Sequence, residues 1–312
     1  MRIAYRLAAR RASRRGGRRD RGVSRVEVLL LIVLLAVIAA VAWPLLQRRR
    51  QAGDPIADAK DLTALHAAFV QHANGNGGTF PRPSETTAAP GGSASNRTLD
   101  TSANLYSLVL AERAVTPAML ISRAERNPVV AAADYDFGRI DAANGQAWDP
   151  GFRTDLDQLP GEGACNSSYV HLALCGERLD HWRLTTDATA PIFGDRATYR
   201  GTRSGDRWRK SFTLGRHGQP DLLWGGNLAF ADGHIEFLTT FFPKSVTWAC
   251  GSIKPTKDNV FDCEFDQLDC TAGLGDARTA GDFWLCMTKG LEGERNLVVD
   301  YRERLTDGSL PR

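Results

Sequence analysis

The sequence has no Gly-x-Ser-x-Gly nucleophile elbow, no glycine-rich phosphate loop and no His-Glu-x-x-His pair. These absences remove familiar signatures of hydrolases, nucleotide-binding enzymes and zinc proteases, and the chain reads as non-enzymatic. It also lacks any close Cys-x-x-Cys pair, which argues against a cysteine zinc site. Acidic residues are scarce at the start, where residues 1 to 22 hold nine Arg against one Asp, a charge of +8. The chain of 312 residues carries only +3 in all, so everything after residue 22 is about −5. A generally basic surface for nucleic acid is thereby excluded, and the basic end reads as an address or anchor.

Charge is absent again from Val28 to Leu46, the nineteen residues VLLLIVLLAVIAAVAWPLL. As a helix this run rises about 28 Å, which predicts a single membrane span. The heavier basic load before it places the N-terminus in the cytoplasm and exports the rest, although Arg48, Arg49 and Arg50 follow on the other side. A carboxylate, Glu27, stands at the edge of the apolar run, where an unpaired charge costs several kcal/mol and marks a functional position, unless it simply snorkels to the membrane surface.

Gly22-Val23-Ser24-Arg25-Val26-Glu27 resembles the prepilin processing signature: a glycine ending the leader, an apolar first mature residue and Glu at mature position five. Pro44 falls where pilins commonly carry a helix-kinking proline. The resemblance to type IV pilins and type II secretion pseudopilins implies cleavage by a prepilin peptidase after Gly22 and N-methylation of Val23. It also implies pairing of Glu27 with the Val23 amine of a neighbouring subunit. Val23 in place of the usual Phe, and Arg25 in place of an apolar residue, depart from the pattern. Its partners would be the peptidase, other pilin or pseudopilin subunits and the inner membrane, with the head on the periplasmic side and no nucleic acid.

Beyond the apolar run, Ile56, Ala59, Leu62, Leu65 and Phe69 recur at helical spacing to about His72, and Asn74-Gly75-Asn76-Gly77-Gly78 stops the helix. Residues 82 to 103 read as a long loop, Leu105 to Ala111 and Pro117 to Ala124 as short helices. Strand-length apolar pieces follow at Tyr169 to Leu174, Pro191 to Phe193, Leu228 to Phe230 and Ile235 to Leu238. The predicted class is α+β: a long N-terminal transmembrane and amphipathic helix packed on an antiparallel sheet head, as in pilins. The expected organisation is a leader (1–22), the N-terminal helix (23–74), the head (75–240) and a Cys- and Asp-rich extension (241–312).

Arg216-His217-Gly218, followed by Gly225-Gly226-Asn227 and Phe230-Ala231-Asp232-Gly233-His234, resembles a second family, the prepilin-type processing-associated proteins marked by a His, nine residues, then Asp-Gly. Here fourteen residues separate His217 from Asp232, so Gln219 to Trp224 carries a five-residue insertion. Asp232-Gly233 between apolar runs predicts a hairpin with a type I′ turn. Asp195, His217, Asp232 and His234 have the donor types of a divalent-metal site, and a hard ion such as calcium would use Asp195 and Asp232. The other reading is a plain turn with His217 bonded to the loop backbone. The alternative to a filament subunit is a membrane-tethered binding or enzymatic domain centred on this motif. Six cysteines, Cys165, Cys175, Cys250, Cys263, Cys270 and Cys286, all follow the apolar run; their even number in an exported chain predicts disulfides. Fifteen pairings are open, and Cys165 with Cys175 would close a short loop.

Overall fold

The computed structural model describes residues 25–86, 97–248, 256–263, 282–292 and 297–311, without the side chains of 41–54 and 290–300. The leader, Gly22, Val23, Cys250 and Cys270 lie outside the described residues, as does the side chain of Pro44. The chain divides into two compact units, residues 1–47 and 48–312. Helix α1, Arg25–Gly75, belongs in part to each.

The expected long transmembrane helix laid on a pilin-like head is not what forms. Among the described residues no helix is long and apolar enough to cross a membrane. The single-pass inner-membrane placement with a periplasmic head therefore has no support. The second unit is mainly a body of sheet and short turns, and only the last turns of α1 enter its core. There, Asp58, Leu62, Leu65 and Phe69 recur at spacings of four, three and four, which puts them on one buried face.

That face meets strand β2 (Pro191–Asp195) through an aromatic cluster. The Phe69 ring lies 5.1 Å from Phe193 and 5.4 Å from Trp182, and Phe80 closes the group at 5.7 Å from Phe69. Trp182 fixes its orientation by donating Nε1–H to the Pro81 carbonyl at 3.0 Å. The helix stops as its glycines dictate: Gly77 and Gly78 have φ of +64° and +85°, and the Gly78 amide caps the Ala73 carbonyl.

The central sheet has the order β4-β3-β2-β1-β7, all neighbours antiparallel, with β1 Tyr169–Leu172, β3 Gly226–Phe230, β4 Ile235–Leu238 and β7 Leu285–Cys286. Every residue of β1, β2 and β3 is buried, so these strands are covered on both faces. Gly194 permits the close approach of β2 and β3, since a Cβ there would sit 2.4 Å from the Asn227 carbonyl oxygen. Short pairs β5–β6 (Thr247–Trp248, Thr256–Lys257) and β8–β9 (Thr288–Glu292, Leu297–Asp300) complete the strands. Because β7 comes from beyond residue 241 and pairs with β1, the stretch read as an extension is woven into the head. Helix α2, Ser102–Ala111, forms where expected, whereas Pro117–Leu120 makes only a single 3-10 turn.

The β3–β4 hairpin forms at Asp232-Gly233, but not through a type I′ turn. Gly233 has φ of +92°, and Asp232 is not among the residues of positive φ. The Gly233 amide donates to the Phe230 carbonyl and the Phe230 amide to the His234 carbonyl, the pattern of a three-residue loop ending in a left-handed glycine.

Candidate functional site

Three chain segments bring titratable groups together under the sheet. Asp58 comes from the buried stripe of α1, Asp195 from the last position of β2, and His217 from the loop between β2 and β3. That loop turns on Gly215, His217 and Gly218, whose φ values are +64°, +53° and +74°. A left-handed conformation is uncommon for a residue with a Cβ, and here it turns the imidazole inward. His217 Nε2 lies 3.1 Å from Asp195 Oδ2 and 3.4 Å from Asp58 Oδ2. The ring forms no well-directed hydrogen bond through either nitrogen. The Phe237 ring packs edge-on at 5.9 Å.

Each carboxylate has its own supports. Asp195 Oδ1 accepts from Arg216 at 3.0 Å, and Oδ2 accepts from the Asn227 amide at 2.8 Å. Asp58 Oδ1 accepts from the Arg123 amide at 3.0 Å, and Oδ2 from the Ser122 hydroxyl. Asn227 also ties α1 down by donating Nδ2–H to the Pro55 carbonyl at 2.9 Å. The electrostatics set the two acids apart. Burial, reinforced by the negative charge of Asp195, pushes Asp58 up to about 6. Burial acts on Asp195 in the same direction, but the Arg216 guanidinium, His217 and the Asn227 amide outweigh it and hold this carboxyl below its usual range.

Behind this cluster lies a second group of buried charges. Arg196 meets Glu125 at 2.6 Å and Glu303 at 2.8 Å, and Glu303 accepts from Asn127 at 2.9 Å. Glu125 also accepts from Ser168 at 2.7 Å. Asp58 and Asp195 are 0% exposed and His217 4%, so the trio is closed to any sizeable substrate and fits a structural or ion-binding role.

The structure separates the two halves of the His-Asp-Gly motif. Asp232 sits in the exposed hairpin turn, paired with His234 Nδ1 at 2.6 Å, and the His234 ring stacks on Phe230. It is absent from the Asp195 cluster, so Asp195 and Asp232 do not meet as the expected ion ligands, and the groups beside Asp195 are Asp58 and His217. Sequence reasoning missed Asp58. The available signal was an acid in register with Leu62, Leu65 and Phe69 on the apolar stripe. Cys165 is a free thiol between the Ser167 carbonyl and the Met287 sulfur, so the expected Cys165–Cys175 bond does not form.

No family model, curated protein or solved structure matches this chain. With no such relative, and no helix among the described residues long and apolar enough to cross a membrane, the expected pilin and type II secretion assignment has no support. The first unit nevertheless carries a physical feature of its own. Every large apolar side chain from Val26 to Ile38 is exposed, from 46% at Val28 to 68% at Val26. Leu29, Leu30, Leu31, Ile32, Val33, Leu34 and Leu35 are consecutive, so the exposure runs all the way round the helix.

Proposed function

We propose that this chain is a structural subunit that assembles with further copies of itself through the N-terminal part of α1. One observation carries the reading: a helix apolar on every face from Val26 to Ile38 stands uncovered in the single chain. A helix hydrophobic all round is stable in water only when buried, and each large aliphatic side chain covered returns about 1.5–3 kcal/mol. Like helices from other copies supply a cover of matching length and chemistry. Repeated head-to-tail contacts of this type build open, filament-type assemblies. The sequence resemblance around Gly22 supports the same reading, because trimming there would leave Glu27 and a new amine at the start of the assembling helix.

Placing charges on this surface tests the proposal. The double variant Leu31→Glu, Leu35→Glu is expected to release monomers with an unaltered head, seen as a collapse of scattering intensity with unchanged circular dichroism in the far-ultraviolet difference from α1. A variant that assembles as the parent chain does would refute helix-mediated association.

A further inference from the structure

The buried charges near β2 do not balance. Four carboxylates, Asp58, Asp195, Glu125 and Glu303, face two guanidiniums, Arg196 and Arg216, with His217, the Tyr169 phenol and the Cys165 thiol also buried in the network. The two halves sense each other, since the Arg216 charge acts on Glu125 and Glu303 as well as on Asp195. With all four acids ionised the network is short of two positive charges, the charge of one divalent cation. Uncompensated buried charge is costly, so the fold must supply protons or an ion here.

The geometry favours an ion. One donor atom each from Asp58, Asp195 and His217 lies within 4.8 Å of the others. Zinc takes histidine nitrogen and carboxylate oxygen at about 2.0–2.2 Å, and tetrahedral donors at that radius stand roughly 3.3–3.6 Å apart. The separations of 3.1 Å and 3.4 Å from His217 Nε2 to the two carboxylate oxygens fall close to that spacing. His217 is the second, independent observation: its side chain is 0% exposed, and Nε2 points between two acceptors without a hydrogen bond of good geometry to either. A cation shared by the three donor atoms would satisfy each of them. The carboxylates are oriented from behind by Ser122, the Arg123 amide, Arg216 and the Asn227 amide, as outer partners of metal ligands are.

We propose that Asp58, Asp195 and His217 form a structural site for a borderline divalent cation of the zinc type. The ion would tie α1, β2 and the His217 loop together at one point. The imidazole donor distinguishes this site from a calcium site, which is built from oxygen alone.

The test uses the full chain. Metal analysis of protein prepared without chelator is expected to give one zinc per chain, and zinc added back to chelated protein should raise its Tm by several degrees. Cobalt substitution should give visible d–d absorption without a thiolate charge-transfer band, which separates this site from the cysteines. His217→Gln should weaken zinc binding at least tenfold, while Asp232→Asn leaves it unchanged. Failure of chelated wild-type protein to take up one equivalent, a thiolate band in the cobalt spectrum, or unchanged affinity in His217→Gln would each overturn the assignment. The wild-type titration and spectrum decide even where His217→Gln does not fold. Assembly through α1 is read out separately, so either proposal can fail alone.

Discussion

Replacement of Arg196 by leucine is expected to cost about 3–5 kcal/mol of folding stability at neutral pH, because it strands Glu125 and Glu303 in the core without their shared cation. The Arg196 side chain is 3% exposed and its two partners 6% and 10%, so water cannot take its place. The pH dependence gives a sharper signature. Burial acts to raise the Glu125 carboxyl, but Arg196, then Arg216, the Asn127 amide and the Ser168 hydroxyl outweigh it and hold the group at about 2, against an ordinary 4.5. A depressed carboxyl stabilises the fold above its unfolded value, and that contribution is lost as pH falls from 4.5 towards 2. It amounts to roughly 3 kcal/mol when complete.

Glu303 works in the opposite sense. Burial, aided by the charge of Glu125 and opposed by Arg196, raises its carboxyl, so its protonated form favours the folded state and its contribution declines as pH rises above 4.5. In the parent chain the Glu303 contribution therefore grows as pH falls to 4.5, and the Glu125 contribution is lost below it. In Arg196→Leu the trend should invert, with stability rising on acidification as both stranded carboxyls take up protons. Urea unfolding at pH 7, 4.5 and 3 measures both slopes. A variant as stable as the parent at pH 7 would mean that the buried network is solvated in a way its burial forbids.

Phe69→Ala should be about as damaging, at about 3–5 kcal/mol, through loss of buried ring contacts and the cavity left among Phe80, Trp182 and Phe193. Phe69 is 0% exposed and joins α1 to β2, so its removal loosens the joint on which Asp58 depends. Comparison of urea midpoints, together with the near-ultraviolet signal of Trp182, reports both effects. A loss below about 1 kcal/mol would show that the helix is held to the sheet by other contacts.

Strands β1 to β4 were legible in the sequence because short apolar runs between glycine, proline and aspartate have few alternatives. The end of α1 was legible for the same reason, since Gly75, Gly77 and Gly78 cannot sustain a helix. The pairing of Leu285–Cys286 with β1 was not, because a two-residue edge strand leaves no periodicity to read and its partner lies more than a hundred residues away. The type I′ expectation at Asp232-Gly233 failed because the dipeptide suits any hairpin that needs one left-handed residue, and here the glycine alone supplies it. The spacing of His217 to Asp232 suggested a companion that lies elsewhere, in the exposed hairpin turn. The carboxylate neighbours of His217 come from α1 and β2, and Asp58 announced itself only as a charge out of place on an apolar stripe. The nineteen uncharged residues predicted a span from length alone, whereas the described helix offers no stretch that meets that requirement.

The most direct test of the central claim is sedimentation velocity of the chain in detergent-free buffer over a wide concentration range. Helix-mediated assembly predicts large species whose size grows with concentration and which Leu31→Glu, Leu35→Glu reduces to monomers. A single monomeric boundary for the parent chain at every concentration would contradict it.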